Sequence, residues 1–267
     1  MRKLLFYILL LITQISCKKN NEFKILMIGN SLTYYNEMPK TLEKMFKEQN
    51  IPIELHQITY SGYSLESHLS TIQIGENDGI IYTRPKESNE YSKLEVLFQT
   101  EIEFDHIIVQ ERTSLALIDE IRTKKTIQSI KEIQSQAKGE PKIWVYQNFP
   151  TKEKYPKSFC ELNEVDMKFC TDTLYSITEE MNVIKSSFNS FPTEYEIIKI
   201  GESFGSVLAG NSQINLYSDE IHPSEEGSYL IALNIYNCLT ERDVSSIQYT
   251  NNLDARTINY LKENVSE

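Results

Sequence analysis

The chain has 267 residues, a formal charge of −11 and 40% hydrophobic residues. That composition excludes fibrous repeats and extended disorder, and the acidic balance excludes a nucleic-acid backbone as partner, which would need a Lys/Arg-rich face. The length suits one α/β domain, since single cores stop growing only at about 250–300 residues.

Arg2 and Lys3 precede an apolar run from Leu4 to Ile12, and Ser16 stands directly before Cys17. A charged start, a short apolar stretch and a small-residue exit describe a secretory signal. The run is shorter than the ~20 apolar residues that a membrane-crossing helix needs. Ser16-Cys17 resembles the processing site of bacterial lipoproteins, although Gln14 stands where an aliphatic residue is usual. The expectation is lipidation at Cys17, export, and attachment by a lipid anchor within the bacterial cell envelope, on the periplasmic face or at the cell surface. Simple secretion and an uncleaved signal anchor are the alternatives. Residues 1–22 are then signal and tether, and residues 23–267 a single domain.

From residue 24 short apolar runs alternate with longer amphipathic ones. Lys24–Gly29 reads as a buried strand, Glu37–Gln49 as a helix, Ile53–Thr59 as a second strand and Leu65–Ile72 as a short helix. Residues 73–89 read as a polar loop and Tyr91–Glu101 as helical. Asp105–Gln110 is the third predicted strand, Ile118–Ala137 a long helix and Lys142–Gln147 the fourth strand. A helical stretch is expected over Phe159–Met181, a fifth strand over Glu196–Ile200 and a helix over Glu225–Leu239, with a looser tail that includes Leu253–Glu263. Short strands alternating with helices predict a three-layer α/β/α fold around a five-stranded parallel sheet. Ligands in such folds bind beyond the carboxyl ends of the strands.

Of the remaining cysteines, Cys160 and Cys170 are the obvious pair in an exported protein. On one straight helix they would stand about 15 Å apart. A disulfide requires Cα atoms within about 7 Å, and therefore a broken helix. No C-x-x-C pair or His/Cys cluster suggests a metal site, and no cofactor motif is present.

Two segments carry chemistry. The first predicted strand ends in Gly29-Asn30-Ser31-Leu32-Thr33, a turn that would present the Ser31 hydroxyl at the open end of the sheet. The same residues also suit a plain turn or helix cap. Near the other end, Asp219-Glu220-Ile221-His222-Pro223-Ser224 precedes the last long helix. A serine nucleophile needs a base matched to neutral pH, and imidazole needs a carboxylate to fix its tautomer. Asp219 can supply that contact to His222 within one loop, and Ser224 can cap the helix behind it.

Together these segments resemble the SGNH (GDSL-like) hydrolases, with Asn30 replacing the usual Asp of the first block. They are more similar still to a branch common in exported bacterial proteins. Its opening resembles Ile28-Gly29-Asn30-Ser31-Leu32-Thr33-Tyr34-Tyr35-Asn36, and its end resembles Ser218-Asp219…His222-Pro223-Ser224. The resemblance spans about Phe23 to Leu239 and implies the flavodoxin-like fold of that family. It implies Ser31 as nucleophile, His222 as general base and acid, and Asp219 as its orienting partner. It also places the N–H groups of Ser31 and Gly62 in an oxyanion hole. For the side-chain donor of that hole, Gly75-Glu76-Asn77-Asp78 spells the usual motif in a polar loop, whereas Gln110 follows a better strand and matches the branch's own version. Gln110 is the favoured donor and Asn77 the alternative.

His56, His68 and His106 lack ligand spacing and read as structural or solvated. Tyr34, Tyr35, Tyr60 and Tyr63 flank the site and suit either packing or stacking on a sugar ring. The resemblance implies a serine esterase acting on O-acyl groups, with O-acetyl groups on carbohydrate as the favoured substrate and no cofactor. A lipid or thioester hydrolase, a transferase between sugars, and a silent glycan-binding lipoprotein of the same fold are the alternatives. The oligomeric state is not readable from the sequence.

Overall fold

The computed structural model describes residues 22–70, 82–84, 97–152, 154–162, 167–210 and 213–266. The lipoprotein-type segment with Cys17, the alternative donor Asn77 and most of the expected helix Tyr91–Glu101 lie outside them.

Five parallel strands form the centre of the sheet: β1 (Phe23–Gly29), β2 (Ile53–Thr59), β4 (His106–Val109), β5 (Lys142–Tyr146) and β8 (Glu196–Ile198). Their order, β2-β1-β4-β5-β8, is the doubly wound arrangement whose reversal lies beside the first strand. The short strand β3 (Tyr82–Arg84) adds an antiparallel edge along β2. The loop expected over residues 73–89 is therefore interrupted by a strand, paired through Gln57–Arg84 and Thr59–Tyr82.

The unbroken apolar run of β1 follows from burial on both faces. Ile25 and Met27 belong to one core, Leu26 and Ile28 to the other. The same alternation splits Ile108 from Ile107 and Val109, and Trp144 and Tyr146 from Ile143 and Val145. One face is covered by α2 (Met38–Glu48), α7 (Ile200–Gly210), α8 (Glu225–Thr240) and α9 (Ala255–Glu263). On the other lie α3 (Leu65–Leu69), α4 (Thr113–Leu117), α5 (Ile127–Gln136) and α6 (Ile177–Asn189). The result is the predicted three-layer α/β/α fold.

Two expected helices are corrected. The segment Phe159–Met181 does not form one helix. It starts as an antiparallel hairpin, β6 (Cys160–Leu162) with β7 (Lys168–Cys170), in which Cys160 faces Cys170 and is bonded to it as a disulfide. Phe169 turns inward onto Leu115, Ile118 and Ile121 while Lys168 and Cys170 stay outside, which is a strand's period of two. Helix α6 begins only at Ile177, capped by Ser176, whose hydroxyl accepts the N–H of Glu179.

The long helix expected over Ile118–Ala137 is also broken. Ile118 is extended, Asp119–Ile121 forms one turn and Arg122–Thr126 a wide π turn before α5. The buried Arg122 guanidinium donates to the Ala116 carbonyl, and the Thr126 hydroxyl donates to Glu111 and the Leu115 carbonyl.

Candidate active site

β1 ends at Gly29, and Asn30 caps the single turn α1 (Ser31–Tyr34) by accepting the Leu32 N–H. Ser31 is thus lifted onto a strand-to-helix turn at the carboxyl edge of the sheet. Asn36 and Glu37 then take left-handed backbone angles, φ 52° and 53°, which break the chain before α2 starts at Met38. On the other side, the loop between α7 and α8 folds back so that Ser218 N–H donates to the His222 carbonyl at 2.9 Å. As expected, Ser224 caps α8 by accepting the Gly227 N–H.

These two loops bring Ser31, His222 and Asp219 together. The His222 Nδ1–H donates to Asp219 Oδ2 at 2.7 Å, because an ionised carboxylate can only accept. Nε2 is left as an acceptor and takes the Ser31 hydroxyl at 2.9 Å. Asp219 Oδ1 also accepts the backbone N–H groups of Ile221 and His222, at 2.8 and 2.7 Å. Desolvation works to raise the Asp219 pKa, but the hydrogen bonds from His222 and Ile221 outweigh it and hold the carboxyl down at about 2.

The imidazole is also held face on. Tyr35 lies parallel to it, ring centroids 4.2 Å apart and planes within 7°. Asn36 Nδ2 donates to the Pro223 carbonyl at 2.8 Å and to Ser228 Oγ at 3.0 Å, clasping the nucleophile segment to the histidine loop. The sequence places Tyr35 and Asn36 within the first motif but does not show that they reach across to the second.

Gly62 lines the same cleft as Ser31. It sits third in a turn closed by the Tyr63 N–H and the Tyr60 carbonyl, with φ +71°. A side chain there would meet no atom within 4 Å, so it is the backbone angle that calls for glycine. Asn30 Nδ2 donates to the Tyr63 carbonyl at 3.0 Å and fastens this turn to the nucleophile. An aspartate at position 30 would lack that donor. Among the described residues, the N–H groups of Ser31 and Gly62 make no hydrogen bond.

Gln110 does not line the cleft, which corrects its expected place as the side-chain donor. It is fully buried, its Oε1 accepts the Asn30 N–H at 2.9 Å, and its Nε2 donates to the Glu111 carbonyl. The amide is spent on holding the nucleophile turn. The open side of the cleft past β4 is instead lined by Arg112, Thr113 and Ser114.

Glu111, the next residue, is buried, and burial pushes its carboxyl up to about 7. It does so against hydrogen bonds from the N–H groups of Arg112 and Leu65 and the Thr126 hydroxyl. His68 donates to the Gly29 carbonyl at 2.8 Å, and burial lowers its pKa to about 4. His56 pairs with Glu54, and His106 accepts the Trp144 indole N–H. Tyr60 is buried against Tyr63. Among the described residues, no group of three or more His, Cys, Asp and Glu side chains could hold a metal ion.

No family model matches the sequence, and no curated protein matches it either. Solved structures do. A DUF4886 family protein from Bacteroides uniformis matches 92% of this chain and 93% of its own with a TM-score of 0.66, at 17% identity. A proposed SGNH hydrolase from Slackia heliotrinireducens matches over 82% of this chain and 100% of its own, with a TM-score of 0.53 and 21% identity.

The chain has the SGNH hydrolase fold. In the SGNH fold seen here, the nucleophile turn follows the strand at which the sheet order reverses, and the histidine loop arrives over the same edge. At these identities the likeness speaks to the fold alone.

Proposed function

We propose that this protein is a serine esterase that cleaves O-acyl esters through Ser31, His222 and Asp219, with an O-acetylated carbohydrate as substrate. The unbroken chain of hydrogen bonds from Ser31 Oγ to His222 to Asp219 is the observation that supports it. His222 takes the Ser31 proton as Oγ attacks the ester carbonyl. The N–H groups of Ser31 and Gly62 receive the oxyanion. Collapse gives an acyl-Ser31 intermediate, with the alcohol leaving on the proton from His222. Water, activated by the same imidazole, then frees the acid. Lipidation at Cys17 and attachment to the cell envelope belong to the same proposal and rest on the sequence motif alone.

The test is hydrolysis of p-nitrophenyl acetate by the purified protein beside Ser31→Ala. Activity that disappears in the variant supports the nucleophile. Equal background rates in both would overturn the esterase proposal.

A further inference from the structure

The cleft in front of Ser31 has a volume of about 440 Å³, and its far wall comes from the β6–β7 hairpin. Glu161 stands on β6 directly after the disulfide-bonded Cys160. Its Oε1 accepts Arg112 Nη2 at 2.6 Å and also the Ser114 hydroxyl. The Glu161 side chain is mostly covered, 14% exposed, whereas Arg112 is 41% exposed. Among the described residues, Arg112 Nε and Nη1 and Glu161 Oε2 make no side-chain hydrogen bond. Donors and an acceptor therefore remain side by side on the wall of the cleft that holds the nucleophile. The triad does not use them.

We propose that the Arg112–Glu161 pair is the specificity-determining element of the cleft and recognises a neutral polyhydroxylated alcohol, the sugar part of the ester. The proposal rests on the esterase activity proposed above. Each hydroxyl of a sugar both donates and accepts, so adjacent hydroxyls match a guanidinium beside a carboxylate. A simple anion fits less well, because Glu161 already neutralises Arg112 and would repel a second carboxylate. A plain alkyl alcohol would offer nothing to the remaining Arg112 donors or to Glu161 Oε2, a loss that discriminates between substrates. The Cys160–Cys170 bond closes the hairpin one residue before Glu161 and keeps the carboxylate at the cleft wall.

The experiment compares methyl 6-O-acetyl-glucoside with butyl acetate, p-nitrophenyl acetate serving as the control for catalysis itself. In the wild type, kcat/KM for the sugar ester should exceed that for butyl acetate by at least about tenfold, mainly through KM. Glu161→Gln and Arg112→Gln, each checked for folding by its thermal midpoint, should collapse that ratio. The ratio is the readout, rather than either rate alone. If p-nitrophenyl acetate is cleaved but the wild type treats the two acetates alike, or ignores both, the pair is not a sugar-recognition element. Folded variants that keep the wild-type ratio overturn it as well. Absence of p-nitrophenyl acetate hydrolysis would instead sink the esterase proposal on which this one stands.

Discussion

The backbone N–H of Asn30 donates to Gln110 Oε1 at 2.9 Å, so the residue before the nucleophile hangs from the end of the neighbouring strand β4. Both atoms are buried, and Gln110 Nε2 is spent on the Glu111 carbonyl. The amide therefore acts as a rigid spacer between two strand ends.

This placement predicts the outcome of Gln110→Ala. The substitution leaves the buried Asn30 N–H without a partner, at a cost of about 1–3 kcal/mol in stability. A direct oxyanion donor would behave otherwise, with turnover falling about 10²–10³-fold at unchanged stability. Urea unfolding and p-nitrophenyl acetate kinetics on the same variant separate the two. Lost turnover with a wild-type midpoint would return Gln110 to the oxyanion hole.

Asn36 offers a second handle, because it links the two halves of the site. Its left-handed φ of 52° tolerates Gly, while its amide clasps Pro223 and Ser228. Asn36→Gly keeps the backbone angle and removes the clasp, so His222 loses a restraint on its loop. The expected result is a fall in kcat of roughly tenfold with KM little changed, since orientation is what is lost. A variant with wild-type kcat would mean that Tyr35 stacking and the Asp219 bonds suffice.

The sequence carries the sheet because β1, β4 and β5 are buried on both faces and read as apolar runs. Ile53–Thr59 is observed with the expected bounds; the motif with Ser31 lies on the turn after β1 and the motif with His222 on the loop between α7 and α8. What escaped depends on partners distant in the chain. The hairpin at 160–170 is closed by a disulfide and by Phe169 packing on Leu115 and Ile118, neither of which local periodicity reports. Helix α7 was hidden by its glycines, poor helix formers on their own. At Gly201 a Cβ would sit 2.3 Å from the Asn148 carbonyl oxygen, so packing rather than propensity chose the residue. The role of Gln110 escaped for a related reason: residue type does not say which way an amide points.

Glu111 predicts a pH dependence of stability. In the unfolded chain its carboxyl releases its proton near the ordinary 4.5, and in the folded protein only near about 7. Below 4.5 both states hold the proton and the contribution is complete. As pH rises through that window the folded state binds more protons than the unfolded one, so stability falls. At about 1.4 kcal/mol per unit the loss is on the order of 3 kcal/mol by pH 8. His68, held down at about 4, gives the opposite slope over its own window, so the comparison must be with a variant. Glu111→Gln should lose less stability than wild type between pH 4.5 and 8, measured by urea unfolding. Parallel curves for the two proteins would show that Glu111 does not titrate in this way.

Behind the histidine loop lies a buried ion pair, Lys157 Nζ to Glu180 Oε2 at 2.7 Å, with side chains 9% and 0% exposed. The Tyr155 hydroxyl and the Thr151 N–H also donate to Glu180, and Lys152 N–H donates to the Glu220 carbonyl of the histidine loop. Removing one partner strands the other charge away from water, so Glu180→Ala should cost about 3–5 kcal/mol. Replacing both, as in Lys157→Met with Glu180→Leu, should recover much of that loss, because no unpaired charge is left. The Thr151 N–H would still be unsatisfied, so recovery should stop short of wild type. Urea midpoints of Glu180→Ala and of the double variant check the order. A double variant less stable than Glu180→Ala would mean that the hydrogen bonds to Glu180, rather than the charge pair, dominate the network.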